Sequence, residues 1–295
     1  MPDGSEDSAT QMFTDHRELV FSIVYNMLGS VSDTEDVLQE TWLAWVARDL
    51  DTIDNQRAYL IRIAVNKALA RQSALRRLRE TYFGQWLPEP LVSSAGVDSA
   101  EDAVGNESLS MALLVVLETL TPLERAVFIL FEVFGYSQAE IAGMIDRTPA
   151  AVRQIAHRAR EHVQARRPRY PVDPRTQRQA TERFMAAAFG GDLNSLLDLL
   201  APEVTLWTDG GGKATAAGPL PIHGRDKVAR LLMARAPRRS AGLDIQYRLV
   251  NGEPSGVLFV ADSPFAVFVL DLTSDGDRVR DIYAVTNPDK LSRIN

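Results

Sequence analysis

Apolar positions recur at helical spacing through the first half of the chain, and strand-like runs take over near its end. Phe13, Leu19, Val20, Ile23, Val24 and Met27 predict one face of a helix that Gly29 is placed to stop. Ser32 and Glu35 form an S-x-x-E pattern that predicts the start of a second helix, with Val37, Leu38, Thr41, Trp42 and Trp45 following. A third helix is expected over 56–79, with Leu60, Ala64, Ala68, Leu75 and Leu78 inside. Further on, Thr121 to Glu124 caps a helix ending near Phe134 and Gly135. Ser137 with Glu140 opens the next, and Thr148 followed by Pro149 opens another. In that last helix Val152, Ile155, Ala156 and Ala159 face inward, which leaves Arg153, Gln154, His157 and Arg158 outside. Two short helices joined by a tight turn, with arginines on the outer side of the second, predict a DNA-reading helix-turn-helix.

Two breaks divide the pattern. Gly84, Pro88, Pro90, Ser93, Ser94 and Gly96 mark a linker over 81–107, and within it Trp86-Leu-Pro-Glu-Pro90 reads as a docked strap. Residues 166–175 are proline-rich and form a boundary. Beyond it, helices are expected over 178–189, 193–200 and 226–236, and strands over 204–208, 243–250, 257–260, 265–272 and 278–285. A Ser274-Asp-Gly276 turn joins the last two strands. The fold class is therefore multidomain: two all-α domains followed by an α+β domain. The expected divisions are a tail over 1–10, helical domains over 11–80 and 108–165, and the α+β domain over 176–295.

Composition narrows the function. The 295 residues suit about two to three domains, and the hydrophobic share of 45% supports a sizeable core. Cysteine is absent, so neither disulfides nor thiolate metal sites exist. Four scattered histidines (His16, His157, His162, His223) argue against a zinc site, and no metal or cofactor is expected. No apolar run has membrane-span length and the first residues are acidic, so a cytoplasmic protein without membrane contact is expected. The net charge of −7 conceals segregation. Residues 1–56 hold twelve acids against two arginines, while 57–79 hold seven basic residues and no acid. Residues 146–169 hold seven arginines against Asp146 and Glu161. Two basic segments on an acidic chain suit phosphate contact at two places.

The order of these motifs resembles a bacterial sigma factor of the extracytoplasmic-function class. The stretch Asp33-Thr-Glu-Asp-Val-Leu-Gln-Glu-Thr-Trp42 resembles the region 2 helix that docks on RNA polymerase. Residues 58–67 resemble the segment that melts and reads the −10 element, and 120–160 resemble region 4, which reads the −35 element. The last domain resembles a SnoaL-like cone, whose marks in one group of these factors are the Trp86–Pro90 strap, an Asp209-Gly-Gly-Gly-Lys213 segment and an Asn287-Pro-Asp-Lys-Leu291 segment. The resemblance implies a promoter-specific initiation factor, not an enzyme, that binds core RNA polymerase and promoter DNA (−35 and −10 elements) and is modulated in cis by its last domain.

Site residues follow from that resemblance. Asp33, Glu35, Asp36, Gln39 and Glu40 are expected on polymerase. Arg62, Asn66, Lys67 and Arg71 are expected at the −10 DNA, and Arg153, Gln154, His157 and Arg158 at the −35 DNA. Arg160 and Arg166 are expected on phosphate. An aromatic for a single-stranded base could come from Tyr59, Trp42 or Trp45, each of which equally suits the core. The regulatory set comprises Trp86, Leu87, Pro88, Asp209, Gly210, Gly211, Gly212, Lys213, Asn287, Pro288 and Asp289. The Asp209–Gly212 run is either a partner-contacting loop or a long turn. Leu206, Trp207, Phe259, Phe265 and Phe268 are expected to line a core or a pocket for a small-molecule ligand. Two other readings stay open: a DNA-binding regulator with a ligand-sensing tail, and an isomerase-like enzyme using His223, Asp209, Asp281 and Tyr283.

Overall fold

The computed structural model describes residues 4–96, 109–166, 172–214, 218–235 and 242–295. The linker residues 97–107, much of the proline-rich boundary and the side chain of Leu78 lie outside the described residues. The chain divides into two compact units. Of the described residues, one takes 4–80 and 116–166, and the other takes 81–96, 109–115 and those from 172 onward.

In the first unit α1 (Gly4–Leu28), α2 (Val31–Val46) and α3 (Gln56–Glu80) pack on one another. Helix α1 begins well inside the segment expected to be a tail. Val20, Ile23, Val24 and Met27 from α1 meet Val37, Leu38 and Trp45 from α2 and Leu60, Ala64, Val65 and Ala68 from α3, all buried. Gly29, at φ 68°, ends α1 as its position implied. The cap of α2 differs from expectation. Ser30, not Ser32, accepts the Asp33 N–H, so the helix begins two residues before the start that the Ser32 pattern implied, and Glu35 is drawn away to Arg17. Trp45 is core, its indole N–H donating to Ala9 O at 3.0 Å, whereas Trp42 is half-buried beside Phe13.

After α4 (Met111–Leu117), helix α5 (Pro122–Phe128) opens on a full capping box between Thr121 and Glu124. It continues through a π-helical turn, Ile129–Val133, to Gly135. Helices α6 (Gln138–Ile145) and α7 (Pro149–Arg166) form the helix-turn-helix, and Asp146 takes the left-handed conformation at the turn. Asp146 is one of the residue types that tolerate φ > 0, which lets the chain reverse without glycine.

The second unit contains a seven-stranded sheet in the order β1-β4-β5-β6-β7-β2-β3. The strands are β1 (Val92–Gly96), β2 (Leu200–Asp209), β3 (Ile222–His223), β4 (Leu243–Val250), β5 (Glu253–Val260), β6 (Ser263–Leu272) and β7 (Val279–Val285). All pairings are antiparallel except β2 with β7. Helices α8 (Pro174–Gly190), α9 (Leu193–Leu199) and α10 (Arg225–Arg235) cover one face, where Phe184, Phe189, Phe268, Leu206 and Ile282 are buried. The opposite face buries Val257, Phe259, Val267, Val269 and Val285 beneath Leu87, Met111, Ala112, Leu291 and Ile294. Thus segments from before the helix-turn-helix, and α11 (Pro288–Leu291), complete the core of the last domain. Strand β1 was not expected, and it covers what would otherwise be the open edge of β4. The residues expected to form one lining fall on two faces, and Phe265 is exposed.

Candidate functional sites

Helix α7 presents the first site. Thr148 accepts the Ala151 N–H at 3.2 Å, and Val152, Ile155, Ala156 and Ala159 are buried against the unit. Arg153, Gln154, His157 and Arg158 are all exposed on the other side. His157 lies 3.6 Å from Glu161 one turn on. Arg160, expected on phosphate, is instead bound by Glu132 and lies over the Phe131 ring. Arg166 sits beside His162. At the N-terminus of α6, the Ser137 hydroxyl and N–H hold the Glu140 carboxyl below its usual range.

The second site joins α2 and α3. The basic segment of α3 holds no acid of its own, and two of its seven cations, Lys67 and Arg71, are balanced by acids of α2. Arg71 donates from Nε to Asp33 at 2.8 Å and from its terminal nitrogen to Asp36 at 3.0 Å. The hydrogen bond to Asp33 raises the Arg71 pKa further, against a smaller opposing effect of burial. Lys67 reaches Glu40 at 3.1 Å, and Arg17 of α1 grips Glu35 at 2.7 and 2.9 Å. Gln39 and Arg62 are exposed. The Asn66 amide donates to Arg62 O and to Met144 O of α6, at 2.7 and 2.8 Å. Tyr59 packs near Trp45, 6.5 Å between ring centroids.

Sequence reasoning missed a third cluster in this unit. Glu118 is gripped by both Arg79 and Arg125. The Arg125 side chain is fully buried and its Nε donates to Asn26 O at 3.0 Å. Arg79 also donates to Leu28 O at 2.6 Å, and burial lowers its pKa despite Glu118. A basic residue directly before the apolar Ala126-Val-Phe128 run was the available signal.

In the second unit Asp209 stands at the end of β2 with no exposed surface. Its carboxylate accepts from Tyr82 OH at 2.6 Å, Leu87 N–H at 2.9 Å, Lys290 Nζ at 2.7 Å and Gly211 N–H at 3.1 Å. The Lys290 ammonium also meets Leu87 O and lies 4.2 Å from the Trp86 ring centroid. Burial, then the Asp209 carboxylate, push the Tyr82 hydroxyl well above its ordinary pKa. Asn287 caps α11 through Asp289 N–H, and its amide donates to Tyr82 OH at 2.9 Å. A Cβ on Gly211 would stand 2.6 Å from the Asn287 side chain, and Gly211 and Gly212 both have positive φ, so glycine is required there. The run is a tight turn, with Lys213 N–H and Ala214 N–H both returning to Gly210 O. Lys213 pairs with Asp289 at 2.6 Å. Strap, loop and tail thus meet at one carboxylate. The sequence named these segments, Lys290 within the last of them, but singled out neither Lys290 nor Tyr82, which supply the counter-charge and the hydroxyl.

The four residues considered for catalysis each have structural partners in the second unit. Asp209 is sealed as described, and His223 Nδ1 lies 3.1 Å from Thr205 Oγ1. Asp281 accepts the Trp207 indole N–H at 3.2 Å, and Tyr283 stacks on Trp207. Burial raises the Asp281 pKa, with Trp207 and Arg280 opposing and Asp271 adding to it. Among the described residues no group of three or more His, Asp or Glu suits a metal ion. A cleft of about 200 Å³ lies beside Phe83, Gly84, Gly212 and Lys213, outside the apolar core. Among the described residues no helix is long and apolar enough to cross a membrane.

The helix-turn-helix with its exposed polar quartet and the bundle bearing an acidic helix are the two helical parts of a sigma-type transcription initiation factor, as similarity to known proteins shows. Residues 12–80 match the family model for Sigma-70 region 2, and 110–163 match that for Sigma-70, region 4. The chain belongs to the extracytoplasmic-function sigma factors. It is 35% identical over 289 residues to the ECF RNA polymerase sigma factor SigJ of Mycobacterium tuberculosis, covering 94% of this chain and 91% of that one. It is 28% identical over 290 residues to the probable ECF RNA polymerase sigma factor SigI of the same species, covering 98% and 96%. The crystal structure of M. tuberculosis SigJ superposes with a TM-score of 0.76 at 32% identity, covering 96% of this chain and 98% of that one. As members of the Sigma-70 region 2 and region 4 families, the two helical regions of this chain bind RNA polymerase and promoter DNA.

Proposed function

We propose that this sigma factor reads a −35 element with Arg153, Gln154, His157 and Arg158, and a −10 element with α3 around Arg62. Asp33, Glu35, Asp36, Gln39 and Glu40 dock on polymerase, and the chain performs no covalent chemistry of its own. The observation that carries this reading is the exposure of all four α7 side chains on a helix whose opposite face is wholly buried. Arginine suits guanine edges and glutamine suits adenine, each good contact contributing roughly 1–3 kcal/mol of discrimination. The second unit modulates output through the Asp209 centre, where the strap, the glycine turn and the C-terminal segment share one buried charge.

In-vitro transcription with core RNA polymerase tests this. Arg153→Ala and Arg158→Ala are expected to lower initiation at a cognate promoter without lowering polymerase affinity. Equal loss of both, or of neither, would contradict the assignment.

A further inference from the structure

The free chain presents a conflict at α2 and α3. Three of the four acids assigned to polymerase and two of the cations assigned to DNA are bound to each other. Asp33 and Asp36 share Arg71, and Glu40 holds Lys67. Arg17 occupies Glu35. Each of the four acids therefore already has a cation, and Arg71 and Lys67 are turned toward α2.

We propose that these pairs form an exchange device. In the free chain they keep Arg71 and Lys67 on the acidic helix. Docking transfers the acids to basic groups of RNA polymerase and releases both cations to promoter phosphate. The proposal rests on the reading of α2 as the polymerase contact and of α3 as a DNA contact.

Two observations support exchange over a fixed scaffold. The Asp36 and Glu40 carboxylates are more than half exposed, so a partner reaches them without unpacking the helices. Ion pairs this exposed are weak in water and are readily replaced by a competing charge. The hydrophobic contacts of α2 with α1 and α3 come from Val37, Leu38 and Trp45, on other positions, so the bundle does not depend on the pairs. Coupling of this kind is reciprocal: polymerase strengthens DNA binding, and DNA strengthens polymerase binding by the same factor. A factor built in this way avoids non-specific DNA while free and acquires its full basic surface on the enzyme.

The test measures binding of the intact protein to a short duplex of arbitrary sequence, by fluorescence anisotropy across a salt series without polymerase. Glu40→Gln frees Lys67 alone, and Asp33→Asn/Asp36→Asn/Glu40→Gln frees both cations. Each freed cation that finds a phosphate steepens the slope of log K against log salt by roughly 0.9. The single variant is expected to gain about that much, and the triple variant about twice as much. The gain is expected to vanish when Lys67→Ala and Arg71→Ala are added. Glu18→Gln/Asp54→Asn, which removes two exposed acids elsewhere, is expected to leave the slope unchanged. A wild-type slope in Glu40→Gln, or a gain that survives loss of Lys67 and Arg71, overturns the device. Cosedimentation of the wild-type chain with polymerase is scored separately. Failure there removes the docking step and the device with it, whereas binding there without a DNA effect in the variants rejects the device and leaves the sigma assignment standing.

Discussion

Asp209 shows how much of this molecule depends on single charges placed away from water. A buried carboxylate is costly unless paired and fully hydrogen-bonded, and here Lys290, Tyr82 and the backbone N–H groups of Leu87 and Gly211 supply those partners. Removing one member of a buried pair leaves the other uncompensated, at a cost of about 3–5 kcal/mol. Asp209→Ala is therefore expected to destabilise the second unit by about that amount, read as a lowered midpoint in urea followed by tryptophan fluorescence. Lys290→Met combined with Asp209→Ala is expected to be milder than Asp209→Ala alone, because no charge is then stranded. Asp209 was legible in the sequence because it precedes three glycines. Tyr82 and Lys290 were not, since a tyrosine and a lysine are ordinary surface residues until the chain brings positions 127 and 81 residues from Asp209 against it.

At the level of elements, capping chemistry was the most dependable part of the sequence. Thr121 with Glu124, Ser137 with Glu140, and Thr148 all cap where their spacing placed them. In each, a hydroxyl satisfies an N–H that the helix itself leaves open, so the signal is wholly local. The Ser32 pattern failed for a related reason: Ser30 offers the same hydroxyl two residues earlier, and a tertiary partner, Arg17, competes for Glu35. Strands β1 and β3 were missed because neither has an apolar alternation of its own, and each is defined by the edge it pairs with. The α7 cap has a direct functional consequence. Thr148→Ala is expected to cost about 1 kcal/mol, concentrated in the first turn of α7, directly before Arg153 and Gln154. Duplex binding by the isolated factor should weaken severalfold with no change in its salt slope, since no phosphate contact is lost. A changed slope would place Thr148 at the phosphate itself.

For the whole molecule, the linear order of motifs and the packing of the units do not coincide. The two sigma regions and the α+β domain follow one another in sequence, yet the second unit takes its strap from the chain between the sigma regions and the first part of α4 from the start of region 4. Leu87, Met111 and Ala112 lie under 3% exposure because the sheet face carrying Val267, Val269 and Val285 covers them. That interleaving could not be read from composition, which marks 81–107 as a proline- and glycine-rich break and says nothing of what the break packs against. It also makes a chain ended near Tyr170 a poor mimic of an uninhibited factor. Such a chain keeps Trp86, Leu87 and Met111 but loses the sheet and Lys290 that receive them. It is expected to expose a new apolar surface, to bind a hydrophobic dye more strongly than the intact protein, and to self-associate in analytical ultracentrifugation. Asp209→Asn combined with Lys290→Met in the full-length chain keeps that surface covered, strands no charge, and removes the ion pair that joins strap, turn and tail. If regulation passes through the Asp209 centre, this double substitution changes promoter output while sedimentation stays that of the unmodified full-length protein. If output changes only on truncation, the effect belongs to the exposed surface and not to the centre.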